Sequence, residues 1–592
     1  MFKDKNLVKY YKKFGLLLMI GMLADILVDY VQLYIPQFLG EVVEIVGSNP
    51  AAVVEDISGI IKSILIVAVT LFIGRMVMRF TILYASTMIE ASLRHDMFRK
   101  AERLSQRYYH RNKVGNIMSW FSSDLEAVEE FTGWGTIMVV DALFLSTMSI
   151  YKMVRLDYVL TLIAILPMLI LIIWGFLVEK TMGQKWEERQ KQYDALYDFT
   201  QENFTGIRVI KAFVKEAQEM KAFAKVAKKN ADKNLEFARV SITFGVCIEL
   251  LIGVIMSILM GLGAYFVYRY VGGSPVVVFD HTIELTAGRL TSFVGYADTL
   301  IWPMIAMGQI VQMYSRANAS MKRVSRFLNE DEEIHNKENA VVLDEIKGKI
   351  TFKDFSFAYP DSKIHSLSNI SFEIQPGEMV GIVGKIGAGK TTLVNSLLRL
   401  YNVEKGSLFI DDVDIMDLNI ANLRDGIAYV PQDNFLFSDN IRNNIAFASK
   451  DYGMKEIQLA AKFADVDDNI IGFSDGYETM TGERGVTLSG GQKQRISIAR
   501  AYIKDAPIMI MDDSVSAVDV KTEETILANI SEKRKGKTTI IIASRVSTVS
   551  HLDKILVLNN GKLEAFDTPE NLLKISPTYQ KMVYLQQLES EL

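Results

Sequence analysis

The sequence predicts two halves of different class: a membrane all-α domain of six helices with long cytosolic helical extensions, followed by an α/β domain. Three observations carry that expectation. Long apolar runs crowd the first 315 of the 592 residues, while residues 345–592 read as a soluble α/β domain. A glycine-rich turn, GKIGAGKTT, follows the apolar run MVGIVG and precedes a helical pattern. And 592 residues exceed what a single hydrophobic core organises.

Six apolar segments lie at about 14–39, 57–88, 133–154, 158–182, 240–271 and 283–312. Each reaches the roughly 20 residues that cross a ~30 Å hydrocarbon layer, which excludes a purely soluble chain. Basic residues set the orientation. Lys3, Lys5, Lys9, Lys12 and Lys13 precede the first span, and Arg94, Arg99, Lys100, Arg103, Arg107, Arg111 and Lys113 follow the second. The intervening loop, GEVVEIVGSNPAAVVED, has neither Lys nor Arg. A multi-pass protein of the cell membrane is therefore expected, with both termini and the α/β domain in the cytosol. The amino terminus is a basic flank without a small-residue cleavage site, unlike a removable signal peptide. The connections 89–132 and 183–239 carry a helical pattern, so helices should continue well past the membrane. The expected domains are 1–325 in the membrane, a linker at 326–346 and an α/β domain over 347–592. A single cysteine, Cys247, excludes a disulfide framework and a cysteine zinc site. The net charge of −5 is too small to argue for nucleic acid, and no nucleic-acid partner is expected.

Charges inside the spans are costly and mark candidate sites. Asp25 and Asp29 share one face of span one at i, i+4, and Arg75 and Arg79 do the same on span two. Pairing of these two sets into salt bridges is the structural expectation. Asp141, Glu249 and Asp298 have no evident basic neighbour. The competing expectation is a cavity whose carboxylates Asp25, Asp29, Asp141, Glu249 and Asp298 favour small cationic amphipathic substrates.

In the second half, Gly384, Lys385, Ile386, Gly387, Ala388, Gly389, Lys390, Thr391 and Thr392 form a phosphate loop. Strand before and helix after are the context that motif requires. The glycines turn backbone N–H groups toward phosphates, and the helix amino terminus adds its positive dipole end. Lys390 reaches the terminal phosphates, and the Thr391 hydroxyl can ligate Mg2+. The second half is thus a P-loop nucleotide-binding domain. Further on, IMIMDDSVSAVD delivers two carboxylates, Asp512 and Asp513, to the tip of an apolar strand.

With TGERGVTLSGGQKQRISIARA at 481–501, the chain resembles the ATP-binding cassette (ABC) exporters. Leu488, Ser489, Gly490, Gly491 and Gln492 match the family signature, and TGERG before it is an exporter feature. ENFTGIRVIKAF (202–213) and LTAGRLTSFVGY (285–296) resemble the second cytosolic loop and the sixth span of exporters, so the likeness covers nearly the whole chain. The resemblance implies a half-transporter that pairs with a second subunit in the lipid bilayer and binds ATP and Mg2+ between two head-to-tail cassettes. It further implies that Tyr359 stacks on adenine, that Thr391, Gln432 and Asp512 serve the metal, and that Asp519 belongs to the D-loop. The signature would act on the partner's ATP. Residues 107–131 and 205–212 would be the coupling regions, the second docking on the partner's cassette.

Two positions depart from the family pattern. The catalytic base is normally glutamate, where this chain has Asp513. The switch histidine is replaced by Ser544, and all six histidines lie elsewhere. Both changes weaken hydrolysis while the binding motifs stay complete. The pattern resembles the degenerate-site subunit of heterodimeric bacterial multidrug exporters, whose substrate could be a small amphipathic compound, drug, peptide or lipid. The alternatives are a slow homodimeric exporter, a siderophore-type importer of the same fold, and an ATP-gated channel or regulatory membrane protein.

Overall fold

The computed structural model describes residues 4–48, 53–278, 281–449, 451–482, 485 and 488–591. Two compact units result: residues 1–101 with 115–329, and residues 102–114 with 330–592. Glu483 and Arg484 of the TGERG motif lie outside the described residues.

The first unit is helical apart from one short bridge pair, Val277–Val278 with His281–Thr282. Among the described residues, four helical stretches are long and apolar enough to cross a membrane: Lys5–Gly47, Ile57–Arg103, Val114–Leu156 and Glu216–Val271. The expected fourth span lies in helix Tyr158–Thr205, whose described apolar part is Tyr158–Leu169. Span and extension beyond the apolar stretch are single helices, since Val53–Arg103 has 51 residues and Glu216–Val271 has 56.

Two spans differ from the continuous helices expected. The first breaks at Leu33 into Lys5–Gln32 and Tyr34–Ser48, and the sixth breaks at Leu300 into Ala287–Thr299 and Ile301–Leu328. Proline explains both, because Pro36 and Pro303 lack the N–H that would bond the carbonyl four residues back, at Gln32 and Thr299. The sixth span also begins later than residue 283, at Ala287, where the Thr286 side chain caps the helix through Arg289 N–H at 3.2 Å. The third span, Val114–Leu156, contains three π-helical turns, the last at Asp141–Leu145.

Small residues let two of these helices touch. A Cβ on Gly288 would sit 2.4 Å from the Gly40 carbonyl oxygen, and Gly288 N–H donates to Glu44 at 3.1 Å. Helices Tyr158–Thr205 and Glu216–Val271 run antiparallel, stitched by Lys185 and Lys233 to Glu188 and Glu236 at 2.9–3.1 Å. Short helix Ile207–Ala212 closes their tip and buries no residue.

The second unit is built on a six-stranded sheet. Its order is Lys562–Asp567, Lys554–Asn559, Met379–Gly384, Thr538–Ile542, Ile508–Asp512, Ile427–Val430; the first pair is antiparallel and the rest are parallel. Strand Ile508–Asp512 is buried on both faces, as a parallel core strand should be. Ile508 and Ile510 pack into one apolar cluster while Met509 and Met511 pack into the other. A four-stranded antiparallel sheet, Leu367–Ile374, Ile350–Phe357, Leu408–Ile410 and Val413–Asp414, flanks it. Because the central strands are parallel, Gly384, Asp512 and the residues after Ile542 all emerge at the carboxyl edge.

Candidate functional site

The phosphate loop leaves the edge of strand Met379–Gly384 and feeds helix Lys390–Leu397. Gly389 caps that helix at φ +98°, and Gly387 sits at φ +82°, both left-handed conformations that glycine alone adopts cheaply. Lys390 Nζ donates to the carbonyls of Gly384 at 2.7 Å and Lys385 at 3.2 Å. Burial lowers the lysine's pKa, opposed by the charges of Asp513 and Asp512. Ile386, at the loop's crest, is fully exposed.

Strand Ile508–Asp512 ends on Asp512, which is 2% exposed. Burial raises its pKa and neighbouring Asp513 adds to the rise, while a hydrogen bond from Thr391 and the charge of Lys390 act the other way. Its Oδ2 is buried and has no hydrogen-bond partner. A buried carboxylate oxygen left open beside a threonine hydroxyl is the donor set that a hard oxygen-seeking cation such as Mg2+ takes, so the residues present fit that ion.

Asp513 follows at φ +46°, with its N–H donating to the Ile542 carbonyl at 3.0 Å. The parallel register sets Asp512 opposite Ile542, and Ser544 lies two residues beyond. There the Ser544 hydroxyl donates to Asp513 Oδ2 at 3.2 Å. The two departures from the family pattern are therefore in contact. Gln432 stands exposed in the loop after the neighbouring strand Ile427–Val430.

Tyr359 reaches the loop helix through its hydroxyl, 3.1 Å from Thr392 Oγ1, and its ring meets Tyr401 edge-on at 5.2 Å. Residues 107–111 of the expected first coupling region belong to the short helix Gln106–Arg111, within this same unit. Arg107 and Arg111 bind Asp361, two residues after Tyr359, and hold its pKa down to about 2.

The signature helix Gly490–Ile503 starts on a capping box. Ser489 Oγ accepts from Gln492 N–H at 3.3 Å, and Gln492 Oε1 accepts from Ser489 N–H at 2.9 Å. Leu488 is buried, whereas Ser489 and Gly490 are exposed and Gly491 is half-buried. Asp519 caps helix Val520–Lys533 through Thr522 N–H at 3.1 Å, and that bond lowers its pKa. One residue escaped the sequence reading. Gln494 is 2% exposed, donates to the Asp513 carbonyl at 3.3 Å and accepts from Ala517 N–H at 3.1 Å. It ties the signature helix to both Asp513 and the D-loop. Its signal was a polar residue on the apolar face shared with Ile498 and Ala501, at i+4 and i+7.

In the first unit, the expected Asp25/Asp29–Arg75/Arg79 salt bridges do not form. Arg75 donates instead to Gln32 at 2.9 Å, and Arg79 lies over the Trp134 ring at 5.9 Å. Asp25 and Asp29 converge on Asp141, while Glu249 and Asp298 are exposed and stand outside that group.

The family models agree with this layout: an ABC transporter transmembrane region matches residues 18–304 and an ABC transporter cassette matches residues 367–516. The chain belongs to the ABC transporter family. It has the half-transporter arrangement of an ABC exporter, one membrane domain followed by one ATP-binding cassette. It is 34% identical over 585 residues to the "probable multidrug resistance ABC transporter ATP-binding/permease protein YheI" of Bacillus subtilis, covering 99% of this chain and 97% of that one. It is also 34% identical to the "multidrug resistance-like ATP-binding protein MdlA" of Escherichia coli, covering 99% and 95% of the two chains. Among solved structures, a "bacterial Atm1-family ABC exporter with ATP bound" superposes with a TM-score of 0.77 at 25% identity, over 96% of this chain and 98% of that one. The importer alternative finds no support in these relatives.

Proposed function

We propose that this chain is one subunit of a heterodimeric, ATP-driven exporter of small amphipathic compounds in the cell membrane. It would supply a catalytically weak ATP site of its own and a complete signature to its partner's site. The observation that carries this is the Ser544–Asp513 contact at 3.2 Å. The side chain that should polarise a water is short, and its neighbour on the switch meets it with a neutral hydroxyl. The signature, by contrast, is capped and ordered through Ser489 and Gln492. The relatives' multidrug names support the substrate class.

In this proposal the membrane domain is 1–325, the linker 326–346 and the cassette 347–592, with both termini in the cytosol. ATP lies along the phosphate loop with its adenine against Tyr359 and its terminal phosphates at Lys390. Thr391, Asp512 and Gln432 would hold Mg2+, which shields phosphate charge when bound. Asp513 and Ser544 occupy the base and switch positions. Leu488, Ser489, Gly490, Gly491, Gln492 and Asp519 face the partner's nucleotide, and 205–212 docks on the partner's cassette.

The test is a comparison of the chain purified alone with the chain purified beside its partner subunit. The chain alone should bind ATP with Mg2+ and hydrolyse it at a small fraction of the complex's rate. Robust turnover by the lone homodimer would overturn the proposal.

A further inference from the structure

The three carboxylates Asp25, Asp29 and Asp141 each offer an oxygen within 4.8 Å of the others. Asp25 and Asp29 lie one turn apart on helix Lys5–Gln32, and Asp141 opens the π-helical turn Asp141–Leu145 of the third span. Such widened turns re-aim side chains and recur at functional sites. Asp25 is 2% exposed and Asp29 is 4% exposed, yet the Oδ2 atom of each is buried without a hydrogen-bond partner. Neither arginine forms an ion pair with them: Arg75, whose charge reaches Asp29 and Asp141 through space, donates to Gln32, and Arg79 lies over Trp134. Among the described residues, Asp141 alone of the three has an outer hydrogen-bond support, the Trp302 indole N–H at 3.2 Å.

Buried polar groups without partners are rare, and carboxylates gathered in a medium of low dielectric relieve their desolvation and mutual repulsion by taking up a proton or by sharing a cation. Oxygens held about 2.0–2.6 Å from one hard divalent ion lie no more than about 5 Å apart, which the 4.8 Å triangle satisfies. A ligating carboxylate fixed by a further hydrogen bond, as Trp302 fixes Asp141, is the usual second support of a metal site. The burial of Asp25 and Asp29 also decides the size of the ligand. With both carboxylates at most 4% exposed, their burial favours a bare ion over a bulky amphipathic organic cation. We propose that Asp25, Asp29 and Asp141 form a binding site for a hard divalent cation that links the first span to the third. The site is independent of which ATP site hydrolyses.

The experiment uses the full chain in nanodiscs without nucleotide and Mn2+ alone as the probe, followed by electron paramagnetic resonance. About one tightly bound Mn2+ per chain is expected, displaced by Mg2+ or Ca2+. Asp29→Asn should weaken binding at least tenfold and abolish the metal-dependent rise in melting temperature. Asp141→Asn, at the half-buried corner, serves the same purpose if Asp29→Asn does not fold. Asp512→Asn, at the cassette's own cation position, separates the two sites: the tight Mn2+ should survive it, and only weaker Mn2+ should be lost. Absence of tightly bound Mn2+ in the wild type would overturn the proposal, as would its loss in Asp512→Asn with retention in Asp29→Asn. Tetraphenylphosphonium bound through Asp29, with no Mn2+ bound, would equally overturn it by assigning the carboxylates to an organic cation.

Discussion

Converting Asp513 to Glu and Ser544 to His should wake this chain's own ATP site. The argument is one of reach. A base must come within about 2.6–3.2 Å of the proton it takes, a window only ~0.6 Å wide. A missing methylene withdraws the carboxylate by about 1.5 Å. Asp513 cannot lean forward to recover that distance, because its N–H is bonded to Ile542 and its Oδ2 accepts from Ser544 at 3.2 Å. A positioned base contributes on the order of 10²–10⁴-fold, so this site should run at about 1% or less of a competent one. The assay is ATPase in the complex after the partner's own phosphate-loop lysine is replaced by alanine, which silences the other site. Residual turnover should be about 1% of wild type, rising at least ~10-fold in the double variant. Since the two side chains touch, the singles should fall short of the double's gain by more than additivity allows. In the unsilenced complex total ATPase should less than double, because it is dominated by the competent site. Residual turnover that is already near wild type, or unmoved by the double variant, would refute the reasoning.

Asp512→Asn should raise the melting temperature of the nucleotide-free chain and remove the further rise given by ATP with Mg2+. Burial, and next the Asp513 charge, lift the folded carboxyl's pKa above its unfolded value, so the folded chain holds that proton more tightly. Its contribution is unfavourable at neutral pH and improves as pH falls through the folded value toward the ordinary carboxylate value of 3.8; a melting series taken from neutral pH down to about 4 should show the wild type gaining on the variant. Gln494→Leu removes two hydrogen bonds, one to the Asp513 carbonyl, which keeps the Ser516 hydroxyl at 2.9 Å, and one from Ala517 N–H, at about 0.5–1.5 kcal/mol for each bond lost. Denaturant unfolding should report that loss, and ATPase of the complex should fall with it. Gly288→Val drives a side chain into the Gly40 carbonyl 2.4 Å away, an overpacking that destabilises by about 1–3 kcal/mol; the yield of folded protein in detergent should drop, and Gly245→Val, which meets nothing within 4 Å, should be tolerated.

The cassette was legible because its motifs are local. Gly384 to Thr392, the 488–492 signature and the Asp512 strand each announce themselves within a few residues. The Asp513–Ser544 contact was visible only as two substitutions 31 residues apart; the parallel register of strands Ile508–Asp512 and Thr538–Ile542 joins them. Gln494 looked like one more polar residue of a basic helix until its inward face was known. In the membrane half, i, i+4 spacing shows which residues share a face of a helix but not how the neighbouring helix is rotated. Asp25 and Asp29 thus met Asp141, and Arg75 found Gln32. The breaks at Leu33 and Leu300 were written in Pro36 and Pro303, but apolar length alone masks them.

The paired helices Tyr158–Thr205 and Glu216–Val271 have a mechanical consequence. The first has 48 residues, about 72 Å at 1.5 Å per residue. Some 20 residues suffice to cross the bilayer, so about 40 Å of it projects as a cantilever. The Lys185–Glu236 and Lys233–Glu188 rungs bind two such rods into one beam, which resists bending better than either rod alone. A tilt of about 10° at the membrane boundary would sweep the Ile207–Ala212 tip through roughly 7 Å, more than the 5.4 Å pitch of a helix. Small angular changes deep in the bundle thereby arrive at the tip as displacements large enough to change which surface it touches.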